Sequence, residues 1–222
     1  MFLPNMLTSE RLMKIAILGT GNVGGTLGTC WAKKGHEVIY GVRNPHDPDL
    51  KALIETSSGK TSAVTLKEVA ACADVIILAV PWNAAQEVLQ NLGDLRGKTL
   101  LDCTNPLAPN LAGLTLGQDT SGAEQIAKWL PGANVVKIFN TTGAENIGNP
   151  IYPEGPSLML YCGDNAEAKA SAAQLALDLG FDVYDLGPLT GARLLEPWAL
   201  VWIQLAVKLK IGRNFAFRLV HR

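Results

Sequence analysis

Short runs of β-branched and apolar residues alternate along this chain with stretches in which apolar positions recur every three or four residues. That alternation predicts a parallel sheet wrapped by crossover helices. The runs predict strands at Lys14–Leu18, Glu37–Val42, Ala63–Thr65, Val75–Val80, Thr99–Cys103, Val135–Phe139, Leu158–Cys162 and Val183–Leu186. Several are apolar throughout, as strands covered on both faces are. Between the first two, Val23, Leu27, Cys30, Trp31 and Lys34 fall at helical spacing, and Gly35 supplies a left-handed stop. Asn83 is expected to cap a helix whose Ala85, Val88, Leu89 and Leu92 form the buried stripe. From Thr190 to about Lys210 the pattern is helical and apolar on most sides, which predicts burial under the chain's own sheet or against a second subunit.

Gly19-Thr20-Gly21-Asn22-Val23-Gly24 follows the first strand directly and opens the first helix. In that setting the three glycines have separate tasks: Gly19 turns the chain sharply, Gly21 lets bare backbone approach phosphate oxygens, and Gly24 lets the helix pack close to the sheet. The helix N-terminus adds free N–H donors and about half a positive charge, a match for a pyrophosphate. The expected fold class is therefore α/β, a Rossmann-like doubly wound, mostly parallel sheet with a small C-terminal helical part. Residues 1–12 read as an N-terminal extension, 13–188 as the dinucleotide-binding domain, and 189–222 as a C-terminal helix and tail packed on that domain or on a dimer partner.

The second strand ends Tyr40-Gly41-Val42-Arg43-Asn44, where an NAD-binding chain places a carboxylate for the adenosine ribose. Arg43 instead offers a permanently charged planar fork suited to a 2′-phosphate, and Asn44 an amide donor, so NADP(H) is the expected cofactor. The alternative is a solvated Arg43, with Asp47 serving the ribose from further along.

In a doubly wound sheet, ligands lie beyond the carboxyl ends of the strands where strand order reverses. The strand ends nominate Val80, Pro81 and Trp82, then Asn105, then Asn140 and Thr141. Trp82 lies against the nicotinamide half or an incoming planar ring, or else is packing; Asn105 and Asn140 bind ribose or carboxamide, or else are ordinary turn residues. The Pro- and Gly-rich stretch from Asn105 to Gly122 is a substrate lid or a plain surface excursion. No catalytic acid or base stands out: His36 opens the second strand at the wrong end, His46 lies in the adenosine-side loop, and His221 is in the tail. Lys137, two residues before Phe139 in its strand, is expected to face solvent. Hydride passage between two redox cofactors needs stacked rings more than a proton donor, so no catalytic side chain and no metal ligand is assigned.

The 222 residues suit one domain with a short appendage. A net charge of −1 with no basic run leaves nothing for a nucleic-acid backbone to hold. Cys30, Cys72, Cys103 and Cys162 form no CxxC pair and suit a reducing cytoplasm. Pro4 and Asn5 break the apolar start, against a signal peptide, and Met13 is a candidate native start. The apolar stretch from Trp198 to Val207 is well short of the roughly 20 residues that cross a bilayer, so no membrane association is expected.

Lys14 to Gly24, Gly41-Val42-Arg43-Asn44-Pro45, Ala79-Val80-Pro81, Lys137-Ile138-Phe139-Asn140-Thr141 and Ala192-Arg193-Leu194-Leu195-Glu196-Pro197 together resemble the NADPH-dependent reductases of coenzyme F420, an 8-hydroxy-5-deazaflavin. The resemblance runs from about Lys14 to about Lys210. It implies a Rossmann-like domain, a homodimer, and direct hydride exchange between NADPH and the deazaflavin as co-substrate. Thr20 and Arg43 match positions that hold NADP in the family, whereas Val42 stands where relatives often carry Ser. Members also occur where deazaflavin is not made, and a similar domain forms the cytosolic half of membrane ferric reductases. Other acceptors (flavin, ferric chelate, quinone, imine or carbonyl) and a non-catalytic NADPH sensor are therefore the rival readings.

Overall fold

The computed structural model describes residues 11–57 and 59–222, so ten of the twelve residues of the expected N-terminal extension lie outside it. Three strands, β1 (Lys14–Leu18), β2 (Glu37–Val42) and β3 (Thr61–Thr65), run outward in one direction. The chain then crosses back to lay β4 (Val75–Leu78) on the other side of β1, and β5 (Thr99–Asp102) and β6 (Asn134–Lys137) continue that way. The short hairpin β7 (Ile151–Tyr152) with β8 (Gly155–Pro156) precedes β9 (Leu158–Gly163) and β10 (Asp182–Asp185). The main sheet reads β10-β9-β6-β5-β4-β1-β2-β3, parallel except where β9 meets β6. Strand order therefore reverses between β1 and β4.

Alternate residues divide the strands between two cores. Ile15, Ile17, Val38, Tyr40, Ile77 and Leu101 face one way, under Leu27 and Trp31 of α1 (Asn22–Lys33) and Ala172 and Leu175 of α7 (Ala166–Leu179). Ala16, Leu18, Ile76, Leu78 and Leu100 face the other. They pack under Val69 of α3 (Val69–Cys72), Ala85 and Leu89 of α4 (Trp82–Gln90), Ile126 of α5 (Gly122–Trp129) and Leu195 of α8 (Ala192–Ile203). Both faces are covered, which is why these strands are apolar without alternation.

Several expectations change, among them the fourth strand, which stops at Leu78 rather than Val80. The sixth strand stops at Lys137 rather than Phe139, because Phe139 takes a left-handed φ of 59° that no ladder accommodates. By alternation Phe139 belongs on the face of Lys137; the left-handed step turns it instead to the α1 and α7 side. There its ring meets Trp31 edge-on at 5.7 Å and Phe181 at 6.2 Å. Asn83 does not cap α4: the helix begins at Trp82 with Pro81 in the capping position, and Asn83 is exposed within the first turn. The apolar C-terminal helix ends at Ile203 and widens through Gln204–Lys208, and left-handed Lys210 and Gly212 then break it. Within one chain its burial under the sheet is partial. Leu195, Ala199 and Trp202 are covered, while Leu194, Trp198 and Val201 are 64%, 37% and 50% exposed.

Beyond the break the tail folds back over the domain. The Leu158 N–H donates to the Phe217 carbonyl at 2.8 Å, and Asn146 of α6 (Ala144–Ile147) donates to the carbonyls of Arg213 and Phe215 at 3.1 and 2.9 Å. Phe215 stacks on Trp202 with ring centres 5.5 Å apart. Among the described residues no helix is long and apolar enough to cross a membrane.

Candidate functional site

A cleft of about 1090 Å³ opens at the carboxyl ends of β1 to β4, at the reversal of strand order. Gly19, Thr20, Arg43, Asn44, Val80 and Pro81 line it, together with Lys67, which the sequence reading did not single out. The signal for Lys67 was its place just past Thr65, the end of β3, which the sheet sets beside the end of β2.

The glycine loop divides its work as the motif requires. Gly19 has φ +107°, and a Cβ there would collide with the Ala79 carbonyl. A Cβ at Gly24 would meet the Gly19 carbonyl, and also Ile17 at 3.2 Å. These two glycines serve packing between strand and helix. Gly21 does not: its φ is −74° and nothing lies within 4 Å of where a Cβ would be. The open space above Gly21 is the cradle a pyrophosphate would fill.

The N-terminus of α1 matches that space. No side chain caps it and its first turn carries no acid, whereas Asp47, Ser121 and Asn165 cap α2 (Pro48–Thr56), α5 and α7. The leading N–H groups of such a helix, here those of Asn22, Val23 and Gly24, lack intrahelical acceptors.

Arg43 is exposed and, among the described residues, has no carboxylate partner. Asp47, the alternative ribose ligand, accepts the Asp49 N–H at 2.9 Å as the cap of α2. Asn44 Oδ1 accepts from the His46 N–H at 3.1 Å, which leaves the Asn44 amide donors free of that bond. The residues present thus fit a 2′-phosphorylated dinucleotide better than an unphosphorylated one.

On the other side of the reversal the nominated side chains have protein partners. Trp82 stacks on Trp129 with ring centres 5.3 Å apart and does not line the cleft. Asn105 donates to the Asn140 carbonyl at 3.0 Å, while Asn140 Nδ2 donates to Asn105 Oδ1 and the Leu195 carbonyl, each at 3.0 Å. Asn140 Oδ1 is buried without a partner among the described residues. Thr141 is buried beside it in sequence, 7% exposed.

Lys137 is fully buried, not solvent-facing. Its Nζ lies 2.9 Å from Asp102 Oδ2 and 3.0 Å from Glu196 Oε1, and it also donates to the Thr104 carbonyl. Burial opposes the ammonium charge, but the two carboxylates outweigh it and hold the lysine above its ordinary range. Glu196 also accepts the Gly122 and Ala123 N–H groups at 2.9 and 3.1 Å, fastening α8 to the start of α5. A strand lysine between apolar neighbours gives no sign of partners 35 and 59 residues away. His36 lies at the opposite end of the sheet, its Nδ1 accepting the Met13 N–H and its Nε2 3.1 Å from Asp178.

Residues 14–106 match the family model described as NADP oxidoreductase coenzyme F420-dependent. The F420-dependent NADP reductase of Methanothermobacter thermautotrophicus is 30% identical over 95% of this chain and 96% of its own length. Rat Metalloreductase STEAP3 is 31% identical over 82% of this chain, which spans only 36% of that relative's length. A crystal structure from Arthrobacter sp. FB24, whose assignment as an F420-dependent NADP-reductase is itself provisional, superposes with a TM-score of 0.82. It shares 33% identity and covers 94% of this chain and all of its own.

Proposed function

We propose that this chain, which belongs to the family of coenzyme F420-dependent NADP oxidoreductases, exchanges hydride between NADP(H) and a deazaflavin-type acceptor. The observation that carries the reading is the empty space over Gly21 at the uncapped start of α1, on a cleft also lined by Arg43, which has no carboxylate partner among the described residues. Gly19, Thr20, Gly21 and the N–H groups of Asn22, Val23 and Gly24 would hold the pyrophosphate. Arg43 and Asn44, with Lys67 behind them, would hold the adenosine 2′-phosphate. Val80 and Pro81 form the wall past which the nucleotide runs toward the ends of β4 to β6.

Bound NADPH supplies the hydride donor. The protein's part is to hold the nicotinamide against a flat acceptor and to keep water out. Asn105 and Asn140 shape the acceptor side by bracing each other and α8, rather than by reaching out to a ligand.

Likeness to Metalloreductase STEAP3 favours a second reading, reduction of a ferric chelate. Anaerobic mixing with NADPH separates the two: deazaflavin bleached much faster than ferric citrate is reduced supports the first, and the reverse order supports the second. Tight NADPH binding without oxidation by either acceptor would indicate a nucleotide sensor. The exposed face of Leu194, Trp198 and Val201 supports a homodimer through α8.

A further inference from the structure

Asp102, Lys137 and Glu196 are each at most 1% exposed, and no step described so far uses them. Every carboxylate oxygen in the group accepts a hydrogen bond. Asp102 Oδ1 takes the Thr104 N–H at 2.8 Å and its hydroxyl at 2.7 Å, Asp102 Oδ2 and Glu196 Oε1 take Lys137, and Glu196 Oε2 takes the Gly122 N–H. All four oxygens act as acceptors, so two carboxylates face one ammonium. The sum is one buried negative charge, partly offset by the start of α5.

That charge sits at the carboxyl ends of β5 and β6, the half of a doubly wound sheet that receives the second nucleotide of a dinucleotide. A Cβ on Gly122 would lie 3.1 Å from Glu196 Oε1, 3.2 Å from Trp82 and 3.4 Å from Pro106. The carboxylate, the first residue of α4 and the loop after β5 therefore converge at one point, next along the chain from the cleft wall at Pro81. Breaking even with an apolar core is hard for a buried ion cluster, so a retained net charge invites an electrostatic role.

We propose that the Asp102–Lys137–Glu196 cluster acts as a fixed negative charge behind the nicotinamide and biases the protein toward the oxidised nucleotide. Hydride leaves the neutral dihydronicotinamide with both electrons of its C–H bond and passes to the acceptor, and the ring is left with one positive charge. A negative charge fixed in a region of low dielectric favours that product and the transition state leading to it. The inference rests on the cleft being an NADP site.

The test is the ratio of Kd for NADP+ to Kd for NADPH, by calorimetry, in the wild type, Glu196→Gln and Asp102→Asn. Each variant removes one negative charge, from α8 and from β5 respectively. Both should raise the ratio about tenfold, equivalent to about 1.4 kcal/mol. A structural role would weaken both nucleotides alike, so an unchanged ratio overturns the inference. The wild type gives a readout that no folding defect obscures: it should bind NADP+ at least as tightly as NADPH, and tenfold weaker NADP+ binding contradicts the proposal. Failure of the wild type to bind either nucleotide would overturn the NADP reading and this inference with it, whereas binding with an unchanged ratio overturns only the inference.

Discussion

Asn105 and Asn140 hold each other reciprocally across the ends of neighbouring strands, each donating its amide N–H at 3.0 Å to the other, Asn105 to backbone and Asn140 to side chain. Asn140 also ties down the Leu195 carbonyl of α8. Asn140→Ala leaves the Leu195 carbonyl and Asn105 Oδ1 without that donor. It should cost about 1–3 kcal/mol, while Asn105→Ala, at a half-buried position, costs less. Urea denaturation of the two variants and the double variant should give a coupling of about 0.5–3 kcal/mol; additive costs would show that the pair does not act as a unit.

Arg43→Ala should weaken NADPH by about tenfold to a hundredfold, the worth of a charge-assisted hydrogen bond or two, and leave NADH nearly unchanged. Lys67→Ala should act in the same direction with a smaller effect. Fluorescence titration with both nucleotides decides it. Equal losses for NADPH and NADH would remove the 2′-phosphate role.

Lys137→Met strands two buried carboxylates and should destabilise the fold by about 3–5 kcal/mol. Lys137→Arg, which keeps the charge, should do less harm, and thermal unfolding would report the order. A neutral Lys137→Met would mean that the cluster seen around Asp102 and Glu196 contributes nothing to holding α8.

Arg193 bonds Glu124 through two nitrogens, at 2.9 and 2.6 Å, and holds its carboxyl below the ordinary glutamate range. A lowered carboxyl pKa contributes stability above the unfolded value of about 4.3 and loses it as pH falls through the folded value. Thermal stability should therefore drop below about pH 4.3, and Arg193→Met should flatten part of that drop. An identical acid limb in the variant would show that the pair is too well solvated to matter.

Much of this molecule was legible because local signals agreed. Gly19 to Gly24 sits between an apolar strand and an amphipathic helix, and each glycine has the environment the motif assigns it. The mostly parallel, doubly wound sheet followed from the alternation of strands and helices. What escaped was set by distant partners. Lys137 looked like a surface residue because its carboxylates come from β5 and from α8. Phe139 looked like the end of a strand, and only the space between Trp31 and Phe181 explains its left-handed turn. Trp82 read equally as a cofactor contact or as packing, and its stacking partner Trp129, far along the chain, gave no local sign.

The most direct test of the central claim compares Gly21→Ala with Gly24→Ala. A methyl at Gly21 meets no protein atom within 4 Å, so that variant should melt close to the wild type yet lose at least tenfold in NADPH affinity. A methyl at Gly24 collides with the Gly19 carbonyl and should destabilise the fold itself. Gly21→Ala binding NADPH as tightly as the wild type would contradict the claim that a pyrophosphate lies over this loop.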